Sequence, residues 1–222
     1  METIHFDNEL LILKADISKL LSLVLESFEM SIRAIEDGDE RLAIRVKKLD
    51  DPIDDINRKV EESVYQIIAR FNPMGKDLRY TITMIKFSNN LERIGDLSVN
   101  IAQKAITLFD RSIVFNPPPQ MRQMIGHSMQ MIKDAFSAFG ERNVHKAIEV
   151  WKTDSLVDEL ERKIDDYVME QLNTEGFDMR LVPILLLLAR DIERIADHAT
   201  NLCEEIVYIE TGKDLSSLVE EM

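Results

Sequence analysis

The sequence predicts an all-α fold: two tandem antiparallel three-helix bundles, six long helices written as an internal repeat. Three observations lead there. Gly (7) and Pro (6) are scarce among 222 residues, while Leu, Ile, Glu, Lys, Arg and Met dominate, a composition that favours helix. Turn and breaker residues cut the chain into six segments, and no strand-like alternation of comparable length competes. Finally, "LERIGDLSVNIA", from Leu91, returns as "IERIADHATNLC", from Ile192, 101 residues later with Glu, Arg, Ile, Asp and Asn in register.

The first helix is expected from about Asn8 to Asp37, where "EDGDE" ends it with Gly38 as C-cap and Asp39 as the next N-cap. The second runs to about Phe71, where "NPMGKD" breaks it, and the third from about Asp77 to Phe109. "FNPPPQ", Phe115 to Gln120, is the strongest breaker and places a domain boundary between residues 1–115 and 116–222. The fourth helix then runs to Gly140, the fifth from about Asn143 to Leu172, and the sixth from Asp178 to Thr211. The halves align throughout: "IDDINRKVEESV" at Ile53 matches "VDELERKIDDYV" at Val157 at an offset of 104, and "DLR" at Asp77 matches "DMR" at Asp178 at 101. Short loops between three such helices make each half an antiparallel bundle.

Composition narrows the function. A 45% hydrophobic share supports a buried core. The net charge of -14 argues against nucleic acid, whose phosphates need a basic face, and against attachment to anionic lipid. The longest apolar run, Leu181 to Ala189, is nine residues, too short to span a membrane, and reads as a buried helix face. A lone Cys203 permits no intramolecular disulfide, and "METIHFDNEL" lacks the features of a signal peptide. A soluble cytoplasmic protein is expected.

The repeated stripe carries the chemistry. Glu92, Asp96 and Asn100 fall at i, i+4 and i+8, as do Glu193, Asp197 and Asn201. The preceding helix of each half adds a pair at matching positions, Asp50 with Asp54 and Asp154 with Asp158. Residues four apart share one helical face, so two carboxylates placed there repel by a few tenths of a kcal/mol, about what a solvated helix would avoid by alternating signs. Converging between antiparallel neighbours, the four carboxylates of each half would make a site for a hard cation. The competing reading is an ordinary charged surface. Among 41 Asp and Glu some such pairs arise by chance, and Asp54 and Asp158 stand four residues before Arg58 and Arg162, the spacing of surface salt bridges. Recurrence of both pairs, with an Asn added, favours metal. Carboxylates with an amide oxygen suit Fe, Mn, Mg or Ca, whereas a structural zinc site would want Cys or paired His. A ferritin-like di-metal bundle would need internal Glu-x-x-His motifs, and Glu2 to His5 is the one such spacing.

The remaining conspicuous residues read as structure. Arg93 and Arg194, one past each Glu, suit ion pairs with the stripe better than anion binding. His198 has Leu97 as its repeat counterpart and reads as an interface histidine rather than a ligand. Cys203 and Trp151 are expected to pack, and the 11 Met to fill the core. No nucleophile–base arrangement, phosphate-cradling Gly loop or CxxC appears, so an enzyme is not expected.

At "NNLERIGDLSVNIA" and "RDIERIADHATNLC", and across essentially the whole chain, the sequence resembles the PhoU family of phosphate-transport accessory and regulatory proteins. The resemblance implies metal-binding Glu/Asp-x-x-x-Asp motifs at Asp50 with Asp54, Glu92 with Asp96, Asp154 with Asp158, and Glu193 with Asp197, supported by Asn100 and Asn201. The metal ion expected first is iron, with Mn, Zn, Mg or Ca as alternatives. It also implies a negative regulator of the phosphate-starvation response and of phosphate uptake. Such a protein would contact the phosphate ABC transporter ATPase and a phosphate sensor histidine kinase, commonly as a homodimer. The alternative is a metal-storage or oxidase bundle outside phosphate signalling. One position departs from the repeat. Pro52 lies between Asp50 and Asp54 where the second half has Leu156, and an interior proline predicts a kink or a helix restart with Asp51 as N-cap. Either would distort the first-half site.

Overall fold

The computed structural model describes residues 2–220, with side chains placed for residues 5–219. It contains α1 (Glu2–Asp37), α2 (Glu40–Phe71), α3 (Gly75–Asp110), α4 (Pro119–Glu141), α5 (Val144–Gln171), a 3-10 turn (Met179–Leu181), α6 (Val182–Thr211) and α7 (Leu215–Glu220). No strand occurs among the described residues, and none of their helices is long and apolar enough to cross a membrane. The side chain of Glu2, and with it the Glu2–His5 spacing, lies outside the described side chains.

Local chemistry sets the breaks. Asp39 caps α2 by accepting from the Arg41 and Leu42 N–H groups at 2.9 and 3.4 Å, after Gly38 turns the chain at φ +64°. Asn143 caps α5 by accepting from the Lys146 N–H at 3.0 Å. Each accepts for N–H groups that the first helical turn leaves without a partner. The sixth helix starts later than its sequence suggests: Asp178 caps a 3-10 turn instead, and α6 follows with Pro183 in its first turn. The short α7, which the sequence did not announce, is anchored by buried Leu215.

Proline 52 does not break α2. The helix continues through it from Glu40 to Phe71, and the expected restart at Asp51 is absent. The reason is its face. Pro52 and Lys48 are both exposed, so the ring projects to solvent and the Lys48 carbonyl, deprived of its N–H partner, is left toward water.

In the first bundle, α1 and α2 run antiparallel, tied by Glu26–Arg45, Asp16–Lys59 and Glu9–Arg70 in reversed order. The second bundle repeats this plan with α4, α5 and α6. Between bundles α3 lies against α6, again antiparallel: Lys76 pairs with Glu210, Lys86 with Glu205, and Lys104 with Asp191. Core residues from both halves, Phe28, Met84, Phe87, Ile132, Leu188 and Ile195 among them, join in one continuous apolar interior. Cys203 is buried there, as are Met84, Met121, Met124 and Met131, whereas Met74, Met169 and Met179 are exposed.

Candidate metal centre

Helix register decides what the stripes can meet. Asn57 Nδ2 on α2 donates to Asn89 Oδ1 on α3 at 3.1 Å, and Lys47 Nζ donates to Gln103 Oε1 at 3.3 Å. Between these rungs the antiparallel register brings Asp50 and Asp54 opposite Asp96 and Glu92. All four are half-buried, each placed beside the α2–α3 seam by core neighbours such as Ile53, Leu91 and Ile94. Burial raises the Asp50 carboxyl above its ordinary range, and Asp54 and Asp96 push it further. Burial likewise raises Glu92, with Asp96 adding to it and Arg93 opposing. Asp50 and Asp54 stand four residues apart on the continuous α2, and so on one face of it.

The second half builds the counterpart on α5 and α6, tied by Trp151 Nε1 donating to Glu204 Oε1 at 3.4 Å. Asp154 and Asp158 face Asp197 and Glu193. Burial, then Asp197 and Asp158, raise Asp154 to about 6. Burial, then Asp197, Glu161 and Asp158, raise Glu193 to about 7. Asp197 is raised by burial and by Asp158, while a hydrogen bond from Glu193 works the other way. At neutral pH this cluster is partly protonated, because burial strips water from carboxylates that also repel one another. Such titrations belong to the group rather than to one residue.

One member was missed by sequence reasoning. Glu161 joins the second cluster: burial raises it, Asp165, Asp158 and Asp197 add, and Arg190 opposes. Its i+7 and i+3 spacing from Asp154 and Asp158 was readable on the helical face. The repeat hid it, because the equivalent of Glu161 is Asn57 and that of Arg190 is Asn89. The first half thus closes its stripe with a neutral amide pair where the second half sets a carboxylate against a guanidinium.

The other expected residues fall as follows. Arg93 bonds Asp96 Oδ2 through Nη1 at 3.1 Å and approaches Glu92 at 3.5 Å, the ion-pair role expected of it. Arg58 turns instead to Asp55, at 2.5 Å, so the surface salt bridge that would have absorbed Asp54 does not form. Asn100 is exposed and Asn201 half-buried, two turns along from Glu92 and Glu193. His198 lies at the seam between bundles, its Nδ1 2.9 Å from Asn90 Oδ1. Burial lowers its pKa, and Arg194 and Arg93 lower it further, so the ring is neutral at pH 7.

The donor set suits a hard cation: four or five carboxylate groups per half, without the thiolates or paired imidazoles that zinc favours. As the side chains stand, no three His, Cys, Asp or Glu among the described residues converge closely enough to hold one ion. The backbone supplies opposed carboxylates on neighbouring helices, and rotamer changes would have to close them around a metal.

Comparison with known proteins follows the same two halves. The family model "PhoU domain" matches residues 17–105 and again 121–206. The chain is 47% identical over 219 residues to the phosphate-specific transport system accessory protein PhoU homolog 1 of Thermotoga maritima, covering 99% of this chain and 94% of that one. It is 32% identical over 211 residues to the PhoU homolog of Clostridium acetobutylicum, covering 95% and 96%. Among solved structures it resembles the phosphate transport system regulatory protein PhoU from Streptococcus pneumoniae, with a TM-score of 0.86 at 27% identity, covering 95% of this chain and 99% of that one. PhoU from Pseudomonas aeruginosa aligns with a TM-score of 0.83 at 29% identity, covering 94% and 100%.

Proposed function

Because the chain belongs to the PhoU family, we propose that it is a cytoplasmic, non-enzymatic negative regulator of the phosphate-starvation response and of phosphate uptake. It acts by contact with the ATPase of a phosphate ABC transporter and with a phosphate sensor histidine kinase, as a homodimer. The observation that carries this reading is the pairing of a near full-length likeness to phosphate-transport accessory proteins with two opposed carboxylate clusters at matching repeat positions.

The clusters are read as metal sites, iron first, with Mn, Zn, Mg or Ca as alternatives. Asp50, Asp54, Glu92 and Asp96 hold the first. Asp154, Asp158, Glu193 and Asp197 hold the second. Asn100 and Asn201 support them from the outer turn. A bound metal would supply the positive charge that these carboxylates lack. Arg93 would steady Glu92 and Asp96 from the solvent side, and the half-burial of all eight would limit competition from water.

Two experiments test the reading separately. Deleting the gene should switch on a phosphate-starvation reporter in phosphate-rich medium. A reporter that stays repressed, in a strain without a second copy, overturns the regulatory role and brings the metal-storage reading forward. Metal analysis should find less bound metal in Glu193→Ala/Asp197→Ala than in wild type, with the helical circular dichroism unchanged. Wild-type protein that stays metal-free after incubation with iron, manganese and zinc overturns the metal sites.

A further inference from the structure

In a three-helix bundle the first and third helices run the same way, so α1 and α3 end side by side. Between their carboxyl ends and the linker that follows lies an open groove of about 730 Å³. Its floor is apolar and buried, with Leu108 and Ile113, and its lip is apolar and exposed: Phe109 at 51% and Val114 at 78%. Hydrophobic side chains of that size are ordinarily scattered singly on a surface. Here two sit at one opening, on the two sides of the turn through Ser112 at φ +50°.

The charged residues that line this opening are all acidic, while Arg111, the exposed C-cap of α3 beside Asp110, stands outside the lining. Glu36, Asp37 and Asp110 line the opening, and none of its lining residues is basic. Both helices end in acid, and neither has a basic residue in its last turn. That ordering opposes the helix dipole, whose carboxyl end already carries partial negative charge and is stabilised by cations. Two such ends meeting beside three carboxylates make a concentrated negative rim around apolar surface. A lysine or arginine brought to the rim would relieve it. An anionic membrane surface would be repelled.

We propose that this groove docks an apolar segment flanked by lysine or arginine, presented by a protein partner. The inference rests on the contact-signalling reading above and names the surface through which that contact is made. Phe109 and Val114 supply the apolar contact, and Glu36, Asp37 and Asp110 set its electrostatic register.

The test uses the full chain with the purified transporter ATPase and the cytoplasmic part of the sensor kinase from the same organism, followed by biolayer interferometry at low and high salt. Val114→Asp and Phe109→Ser, both at exposed positions, should each weaken binding to at least one of these proteins about tenfold or more, with unchanged thermal melts. Glu36→Lys/Asp110→Lys should weaken it strongly at low salt and little at high salt. Affinities of Val114→Asp and Phe109→Ser within about twofold of wild type, for every partner the wild type binds, overturn the proposal. A wild type that binds neither protein overturns the contact reading, and this inference with it. Loss confined to self-association, measured by light scattering, makes a second copy the occupant and overturns the assignment to a partner.

Discussion

Gly95 on α3 and Ile53 on α2 stand so close that a methyl group on Gly95 would meet Ile53 Cδ1 and Cγ2 at 3.2 Å. The repeat solves the same contact the other way. The equivalents are Ala196 and Val157, one methyl gained on one helix and one lost on the other, and both are fully buried. This spacing separates the helices that carry Asp54 and Asp96.

Gly95→Ala should therefore destabilise despite its better helix propensity. The propensity gain is about 1 kcal/mol, against about 1–3 kcal/mol for overpacking a filled core. Adding Ile53→Val, which alone costs about 0.5–1.5 kcal/mol, should bring the double variant back near wild type. Urea denaturation of the four proteins in the cycle checks this, and additive losses would show that the two sites do not compete for space.

Lys104 and Asp191 pair across the seam between bundles, both largely shielded from water, at 17% and 13% side-chain exposure. Removing one charge strands the other. Lys104→Ala or Asp191→Ala should each lose about 1–3 kcal/mol, less than a fully buried pair because some solvent reaches both groups. The swapped pair, Lys104→Asp/Asp191→Lys, should recover part of the loss in the same denaturation assay, whereas a surface pair would barely respond to any of the three.

Acid should stabilise the metal-free protein. Asp154, raised to about 6, and Glu193, raised to about 7, bind protons in the folded chain that their unfolded forms release near pH 4. Folding then takes up protons between about pH 4 and 7, so stability contributed by these groups is greatest below about pH 4 and is lost as pH rises through 7. Melting temperatures in chelator, from pH 5 to 8, should decline, and saturating divalent cation should flatten the decline. A melting temperature that rises toward pH 8 in chelator would contradict the clustering.

Cys203 should be unreactive in the native protein. It is fully buried, and burial pushes its thiol up to about 12, so scarcely any thiolate exists at pH 8. Labelling with a disulfide reagent should be more than about a hundredfold slower in native buffer than in denaturant, because it must await local opening. Labelling at the unfolded rate would place the thiol at the surface.

Much of this protein was legible in one dimension. Breakers such as "EDGDE" and "FNPPPQ" and the caps Asp39 and Asn143 act within a turn or two of chain, so they marked the helices without knowledge of anything distant. The repeat exposed the carboxylate pairs because i, i+4 spacing is a local geometry that each helix imposes on itself. Local rules also misled. Pro52 signals a break on any helix, but its effect depends on which face meets solvent, and the packing of α2 against α1 and α3 turned it outward. Glu161 escaped notice because its membership in the second cluster is set by the register of α5 on α6, while the repeat alignment put a neutral Asn57 in its place. The docking of α3 on α6, with His198 on Asn90 and Lys104 on Asp191, and the meeting of two acidic helix ends beside Phe109 and Val114, belong to the same class. They join residues tens of positions apart, where no periodicity reaches, and only the packing of whole helix faces could decide them.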